Sequence, residues 1–424
     1  MKDFTLRPTL SNEKLAAITN TLAHWLPSNE DGAPALSGDR GSHIEAAVSR
    51  WTIAEWEAAE WVVYWQNALP WLAARLQEAN VEVPEPVNGR LHTIAAASRE
   101  RTCQMLNACN DILAAFRQAG IETVLLKGAV LAPIYYPNPL LRPLADLDLL
   151  IRPKDLAASR EIMLNQLGYR YYSRSAEDEV YLRGERKENI WAANNVHPVE
   201  IHFALREEYA GMGYDLADLM WRESEERPYW QGTSARIPNP AALLLHVCAH
   251  ASSDWIIQRG RLMHIDDIRK LCVGMKTADW QTFNQRVQPN TARFVYPALA
   301  FAAKYSPLDL PQAVTDSLRE NCPPTLLDWL AQTSLADTSE SNPTSRSGIG
   351  FEIAQRLARS KMDIVRFWLR SFFPRRYNLA KRYPRLVETA VWPLAYLLLN
   401  LDRIMHFIKK FLPQSSQRTQ REKE

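Results

Sequence analysis

Hydrophobic positions recur at helical spacing over residues 11–27, SNEKLAAITNTLAHWLP, where Ser11 and Asn12 offer caps and Pro27 ends the run. Gly, Ser, Pro and Asp then dominate residues 28–42, which read as a loop. Between Ile44 and Asn80 the tryptophans Trp51, Trp56, Trp61, Trp65 and Trp71 fall at steps of four to six, with Pro70 as a kink or break. A tryptophan stripe at this spacing suits helix packing better than a ligand or membrane face. A third helical block covers 91–119 and ends at Gly120.

The texture changes at Ile121. IETVLLKG reads as a short buried strand turning at Gly128, AVLAPIYY as a helix stopped by Pro137, and LADLDLLIRP as a strand alternating acid with leucine. KDLAASREIMLNQLGY then reads as a helix ending at Gly168, and YRYYS and HPVEIHFAL as two further strands. From Asp215 to about Leu335 the pattern is helical again. The polar stretch 336–350 reads as a linker, and amphipathic segments follow at 361–387 and 391–412. The expected organisation is a helical region 1–95, an α+β catalytic core 96–210, a helical domain 211–335, the linker 336–350 and C-terminal helices with a tail, 351–424.

Composition narrows the class. With 424 residues, 46% of them hydrophobic and 23% charged, the chain has the makings of several packed units and none of a disordered, collagen-like or multi-span membrane protein. Five scattered cysteines without a CxxC point to neither a disulfide framework nor a thiolate zinc site, and to a reducing compartment. MKDFTLRPTL has no apolar run behind its early basic residues, so the expected location is cytoplasmic. The net charge of +2 hides an asymmetry: residues 356–424 hold 16 Lys/Arg against five Asp/Glu, +11, which leaves −9 for the rest.

That basic segment interleaves Arg366, Arg370, Arg375, Arg376, Lys381, Arg382 and Arg385 with Phe367, Trp368, Phe372, Phe373, Tyr377 and Tyr383. The mixture suits an anionic membrane surface, a nucleic acid, or docking onto the acidic body. The apolar run before Asp402 is too short to span a bilayer, so residues 361–412 are expected at most to make a peripheral contact at the inner membrane face.

The chemistry centres on Asp146 and Asp148. Side chains alternate along a strand, so both point to one face while Leu147 and Leu149 point to the other. Paired carboxylates repel unless solvated or neutralised; a hard divalent cation is the usual partner, and two ordinary solvent-facing acids are the alternative. Upstream, Lys127 and Gly128 stand at a strand-to-helix turn whose backbone N–H groups suit phosphate oxygens. Downstream, Glu200 and His202 share one face of a strand, a third carboxylate beside the pair. His202 reads first as a hydrogen-bonded structural residue, and second as an orienter of Glu200 or a phosphate contact. His246 and His250, four apart on one helical face, suit packing or a substrate pocket more than ligation. Asp266 and Asp267 read as a helix cap or as cleft lining.

Together LLKGAVLAPIYY, RPLADLDLLI, LGYRYYS and HPVEIHFAL resemble the nucleotidyltransferase superfamily with the polymerase-beta-like fold, and most resemble its uncharacterised bacterial branch, over roughly residues 95–275. The resemblance implies a short mixed sheet with helices, flanked by helical regions. It implies Asp146, Asp148 and Glu200 as ligands of Mg²⁺, or of Mn²⁺, with Glu200 helping to deprotonate an attacking hydroxyl. Gly128 corresponds to the glycine turn. The implied reaction moves a nucleoside monophosphate from an NTP to an acceptor, a sugar phosphate, small alcohol, protein side chain or RNA end, with release of pyrophosphate. Lys127-Gly128-Ala129 departs from the Gly-Ser or Gly-Gly pair of that superfamily, and Lys127 and Arg142 are the candidates to replace lost phosphate contacts. A non-catalytic adaptor of the same fold, at a membrane or a biosynthetic complex, is the rival reading, and an RNA-modifying enzyme the third.

Overall fold

A helical layer precedes the sheet. In the computed structural model, which describes residues 8–26, 38–184, 196–209, 212–338, 349–376, 379, 383–387 and 389–411, α1 spans Asn12–Trp25. Ser11 caps it by accepting from the Lys14 N–H at 3.3 Å. The next helix, α2 (Gly38–Val48), starts within the segment expected to be a loop, despite its glycines. A Thr52–Glu55 capping box opens α3 (Ile53–Trp65), and Pro70 lies in the first turn of α4 (Leu69–Glu78), where its missing N–H costs nothing. Trp56, Trp61 and Trp71 are buried, so the tryptophan pattern is helix packing. The long α5 (Glu85–Gln118) is tied to α3 by Arg90, 2.8 Å from the fully buried Glu60, and Gly120 follows at φ +73°.

The sheet is mixed, as the α+β reading requires. Its elements are β1 (Thr123–Leu125), α6 (Lys127–Tyr135), β2 (Leu147–Ile151), α7 (Leu156–Glu161) with a following π turn, β3 (Arg170–Arg174), β4 (Asp178–Arg183) and β5 (His197–His202). After a two-stranded ribbon, β6 (Arg206–Tyr209) and β7 (Met212–Asp215), come α8 (Ala217–Arg222), β8 (Ser224–Pro228) and β9 (Ser234–Pro238). The seven-stranded order is β3-β4-β5-β2-β1-β9-β8. Within it β2 runs parallel to β5 and antiparallel to β1, while β1 and β9 are parallel. Two of these strands, β8 and β9, correct the sequence reading, which had the chain helical beyond Asp215, and β4 is a strand that reading did not single out. β8, SEERP, carries charge and proline and is a largely exposed edge strand, whereas β9, SARIP, alternates polar and apolar positions with Ala235 and Ile237 buried, but over too short a run to stand out.

The helices after the sheet are α9 (Pro240–Ile256), α10 (Leu262–Gly274), α11 (Thr277–Arg286) and α12 (Ala292–Tyr305), with shorter ones to Thr338. Asn239 caps α9 by accepting from the Ala242 N–H at 2.9 Å. Helices Leu335–Thr338 and Ile349–Leu357 bracket the expected linker, whose residues 339–348 lie outside those described. All five cysteines are free, four of them buried.

The chain divides into one unit of Met1–Glu207 with Gly213–Arg359 and another of Glu208–Met212 with Ser360–Glu424. The second contains helices Lys361–Phe372 and Leu394–Phe411 and a small cluster of Leu379, Val387, Ala395 and Leu399. Lys381, Arg382 and Tyr377 of the basic segment lie outside the described residues. Among the described residues no helix is long and apolar enough to cross a membrane.

Candidate active site

The turn from β1 into α6 is pinned to β2, because the Leu126 N–H donates to the Asp148 carbonyl at 3.1 Å. The next residue, Lys127, sits at φ +40°, a left-handed conformation that costs a side-chain-bearing residue on the order of 1 kcal/mol. The ammonium of Lys127 lies 2.7 Å from Asp148 Oδ1, a carboxylate only 2% exposed. A strained backbone thus delivers a half-buried cation to a buried acid.

Parallel pairing of β2 and β5 sets Asp148 opposite Glu200 and Leu150 opposite His202. His202 Nε2 lies 2.9 Å from the same Asp148 Oδ1 and 3.6 Å from Glu200 Oε2. Donor atoms of Asp148, Glu200 and His202 all fall within 4.8 Å of one another. His202, ranked second from the sequence, is therefore at the centre. Asp146 occupies the residue before β2, off the ladder and half-buried, and reaches this group by charge. Arg101 braces that approach, donating to the carbonyls of Ala145 at 3.0 Å and Val196 at 3.1 Å.

Burial and the neighbouring charges of Asp148 and Asp146 push the Glu200 carboxyl up to about 7, against the opposing pull of Lys127 and His202. Burial and Asp148 likewise raise Asp146. Burial alone would raise Asp148 too, but Lys127 and His202 hold it well below the usual carboxylate range. Desolvation pulls His202 down, but the hydrogen bond to Asp148 and the charges of Asp148 and Glu200 together outweigh it and raise it, favouring the imidazolium. Hard oxygen donors from Asp148 and Glu200, with Asp146 beside them and mutual repulsion that still raises Glu200 and Asp146, are a donor set that fits a divalent cation.

Gly128 and Arg142 form a different arrangement. Arg142 makes a bidentate pair with Asp267 of α10, Nε to Oδ1 at 2.8 Å and Nη2 to Oδ2 at 2.7 Å, and Tyr136 Oη donates to the same Oδ1 at 2.8 Å. A Cβ on Gly128 would stand 2.4 Å from Arg142 Nη1 and 2.9 Å from Leu144 Cδ2. The glycine makes room for the guanidinium, and Asp267 is its partner. Asp266 pairs instead with Arg269 at 3.0 Å, both buried.

His246 is buried, its Nδ1 has no protein partner, and burial with the nearby Lys127 keeps it neutral. His250 is drawn into a second group with Asp254 and His264, residues that sequence spacing did not single out. Arg261, likewise missed, adds a cation that opposes the rise at Asp146.

Residues 53–307, well over half of the chain, match a family described as uncharacterised nucleotidyltransferases. The chain belongs to that family. Its members' shared region begins in α3 and ends just past α12, so it takes in both the sheet and the helices on either side, a wider span than the motifs alone mark. Among solved structures, an antigenic nucleotidyltransferase-like protein from Paracoccidioides brasiliensis is 15% identical, with a TM-score of 0.32, over 51% of this chain and 94% of that one. That likeness is too slight to support an inference. Among curated proteins no match is found.

Proposed function

We propose that the protein transfers a nucleoside monophosphate from an NTP to an acceptor hydroxyl, releasing pyrophosphate. The observation that carries the reading is Asp148 directly opposite Glu200 on adjacent parallel strands, beside the Lys127 turn, in a chain of nucleotidyltransferase family. Asp148 and Glu200, with Asp146, would hold Mg²⁺ or Mn²⁺. When bound, such an ion neutralises phosphate charge and lowers the pKa of an oxygen it touches.

The chain's own residues divide the remaining work. Glu200, with a carboxyl poised near neutrality, accepts the proton of the acceptor hydroxyl. His202, held by its hydrogen bond to Asp148, stands 3.6 Å from Glu200 and tempers its charge. Lys127 supplies the cation at the start of α6, where the first helix N–H groups would receive a phosphate. Arg142 contributes by seating α10 against that turn through Asp267, and less by gripping phosphate itself. Incubation with α-phosphate-labelled NTPs and Mg²⁺, screened against sugar phosphates, small alcohols, protein and RNA ends, tests the reaction. Label transfer by wild type that disappears in Glu200→Gln supports it; transfer undiminished in that variant overturns it.

The second unit supports a peripheral contact with an anionic membrane surface. Met362, Val365, Leu369 and Phe372 form an exposed stripe on helix Lys361–Phe372, and Leu394, Leu397, Leu401 and Met405 another on helix Leu394–Phe411. Arg366 and Arg370 on the first of these helices, and Arg375 and Arg376 just after it, complement anionic headgroups.

A further inference from the structure

His250 and Asp254 stand one turn apart on α9, and His264 lies in the first turn of α10. Asp254 Oδ2 is 3.7 Å from His250 Nε2 and 3.7 Å from His264 Nε2. All three donor atoms fall within 4.8 Å of one another, and the two imidazoles meet edge-on with centroids 5.9 Å apart. Neither 3.7 Å separation is a hydrogen bond. Ligands bound to one transition-metal ion at about 2.0–2.2 Å lie roughly 3–3.5 Å apart, so the two Asp254–histidine separations need to contract by only a fraction of an ångström.

We propose that His250, Asp254 and His264 form a transition-metal site, of the class that takes Zn²⁺, distinct from the carboxylate set at Asp148 and Glu200. Two imidazoles and one carboxylate suit a borderline ion, whereas Mg²⁺ prefers all-oxygen sets. The side chains are 33%, 19% and 12% exposed for His250, Asp254 and His264, so an ion enters from solvent and keeps an outward position for water or an anionic oxygen. Three protein ligands with an open position is the pattern of a working ion more than of a sealed structural one.

The turn between the two helices is built to hold this group. Gly260 has Trp255 against it, since a Cβ there would stand 1.7 Å from Trp255 Cδ1, and its N–H donates to the Thr338 carbonyl at 2.8 Å. Trp255 in turn meets the His264 ring edge-on at 5.7 Å and Phe301 at 4.9 Å, which fixes the ring that reaches across from α10. His250 also acts by charge on Asp146. The proposal stands on these three residues alone and does not depend on the transfer reaction.

The test is calorimetric titration of chelator-stripped full-length protein with Zn²⁺, repeated with Co²⁺ for its visible ligand-field absorption. Wild type is expected to bind one Zn²⁺ at this site, with Co²⁺ giving the strong absorption of a low-coordinate ion. His264→Ala and the near-isosteric Asp254→Asn should each weaken binding by more than the roughly 10–100-fold that an outer-shell residue costs. The Asp148→Asn/Glu200→Gln protein should retain this binding. Wild type binding no more tightly than Asp254→Asn overturns the proposal, as does binding that vanishes with Asp148 and Glu200 instead.

Discussion

Asp148 and Glu200 face each other across one rung of the parallel pair β2–β5, and one oxygen of Asp148 takes both Lys127 and His202. The two acids are therefore unequal. Asp148 is neutralised within the protein, so Asp148→Asn leaves the Lys127 ammonium without its partner and should cost about 1–3 kcal/mol of stability as well as activity. Glu200 carries the surplus negative charge, so Glu200→Gln should abolish transfer while the metal-free protein keeps or gains stability. Thermal unfolding of the two variants beside a turnover assay checks this; equal destabilisation by both would contradict it.

The same surplus predicts a pH dependence. A carboxyl raised from 4.5 to about 7 in the folded state contributes stability that is fully present below 4.5 and lost as pH rises through about 7. Metal-free wild type should lose on the order of 1–3 kcal/mol across that window from this group, and Glu200→Gln should flatten the slope. Mg²⁺ or Mn²⁺ should raise the melting temperature at pH 8 and much less at pH 5. Denaturant titrations across this range measure it, and a metal effect independent of pH would refute it.

At the Arg142–Asp267 pair the prediction concerns folding. Both side chains are nearly buried, so Arg142→Ala strands a carboxylate that keeps its hydrogen bond from Tyr136 but loses its cation, at about 3–5 kcal/mol. Arg142→Lys should recover only part of this, because an ammonium does not make the two-pronged contact. Replacing both residues by leucine should cost less than Arg142→Ala. Chemical denaturation reads all three, and a mild Arg142→Ala would show that the pair is dispensable.

Lys127→Gly separates backbone from charge. Glycine adopts φ +40° without strain, so the turn survives, but the ammonium is lost. NTP affinity should fall about 10–100-fold, the worth of a charge-assisted hydrogen bond to phosphate. Unchanged affinity would assign Lys127 to neutralising Asp148 alone.

The exposed stripes of the second unit predict sedimentation of the full chain with anionic but not neutral vesicles. Leu397→Glu with Leu401→Glu should abolish it. Retention by RNA in preference to vesicles would point to the nucleic-acid reading of the basic segment instead.

Local pattern carried much of this structure. The caps at Ser11 and Asn239, the helix ends at Gly120 and Gly168 and the strands bearing Asp148 and Glu200 follow from short-range rules. What escaped is non-local. β9 joins the sheet through its pairing with β1, where Arg236 stands opposite Val124, and the brief alternation in SARIP says nothing of that distant partner. Asp146 was placed on the face of a strand that begins one residue later, at Leu147. Asp267 was read as a cap or cleft residue, because its guanidinium partner is 125 residues away in sequence. His264 meets His250 only where α10 packs against α9.

The measurement that tests the central claim most directly is calorimetric titration of ATP, GTP, CTP and UTP, with and without Mg²⁺, on wild type and on Asp148→Asn/Glu200→Gln. The account predicts Mg²⁺-dependent binding of at least one NTP by wild type and none by the folded variant. Folded wild type that binds none of the four with Mg²⁺, or a variant that binds as well as wild type, would contradict it.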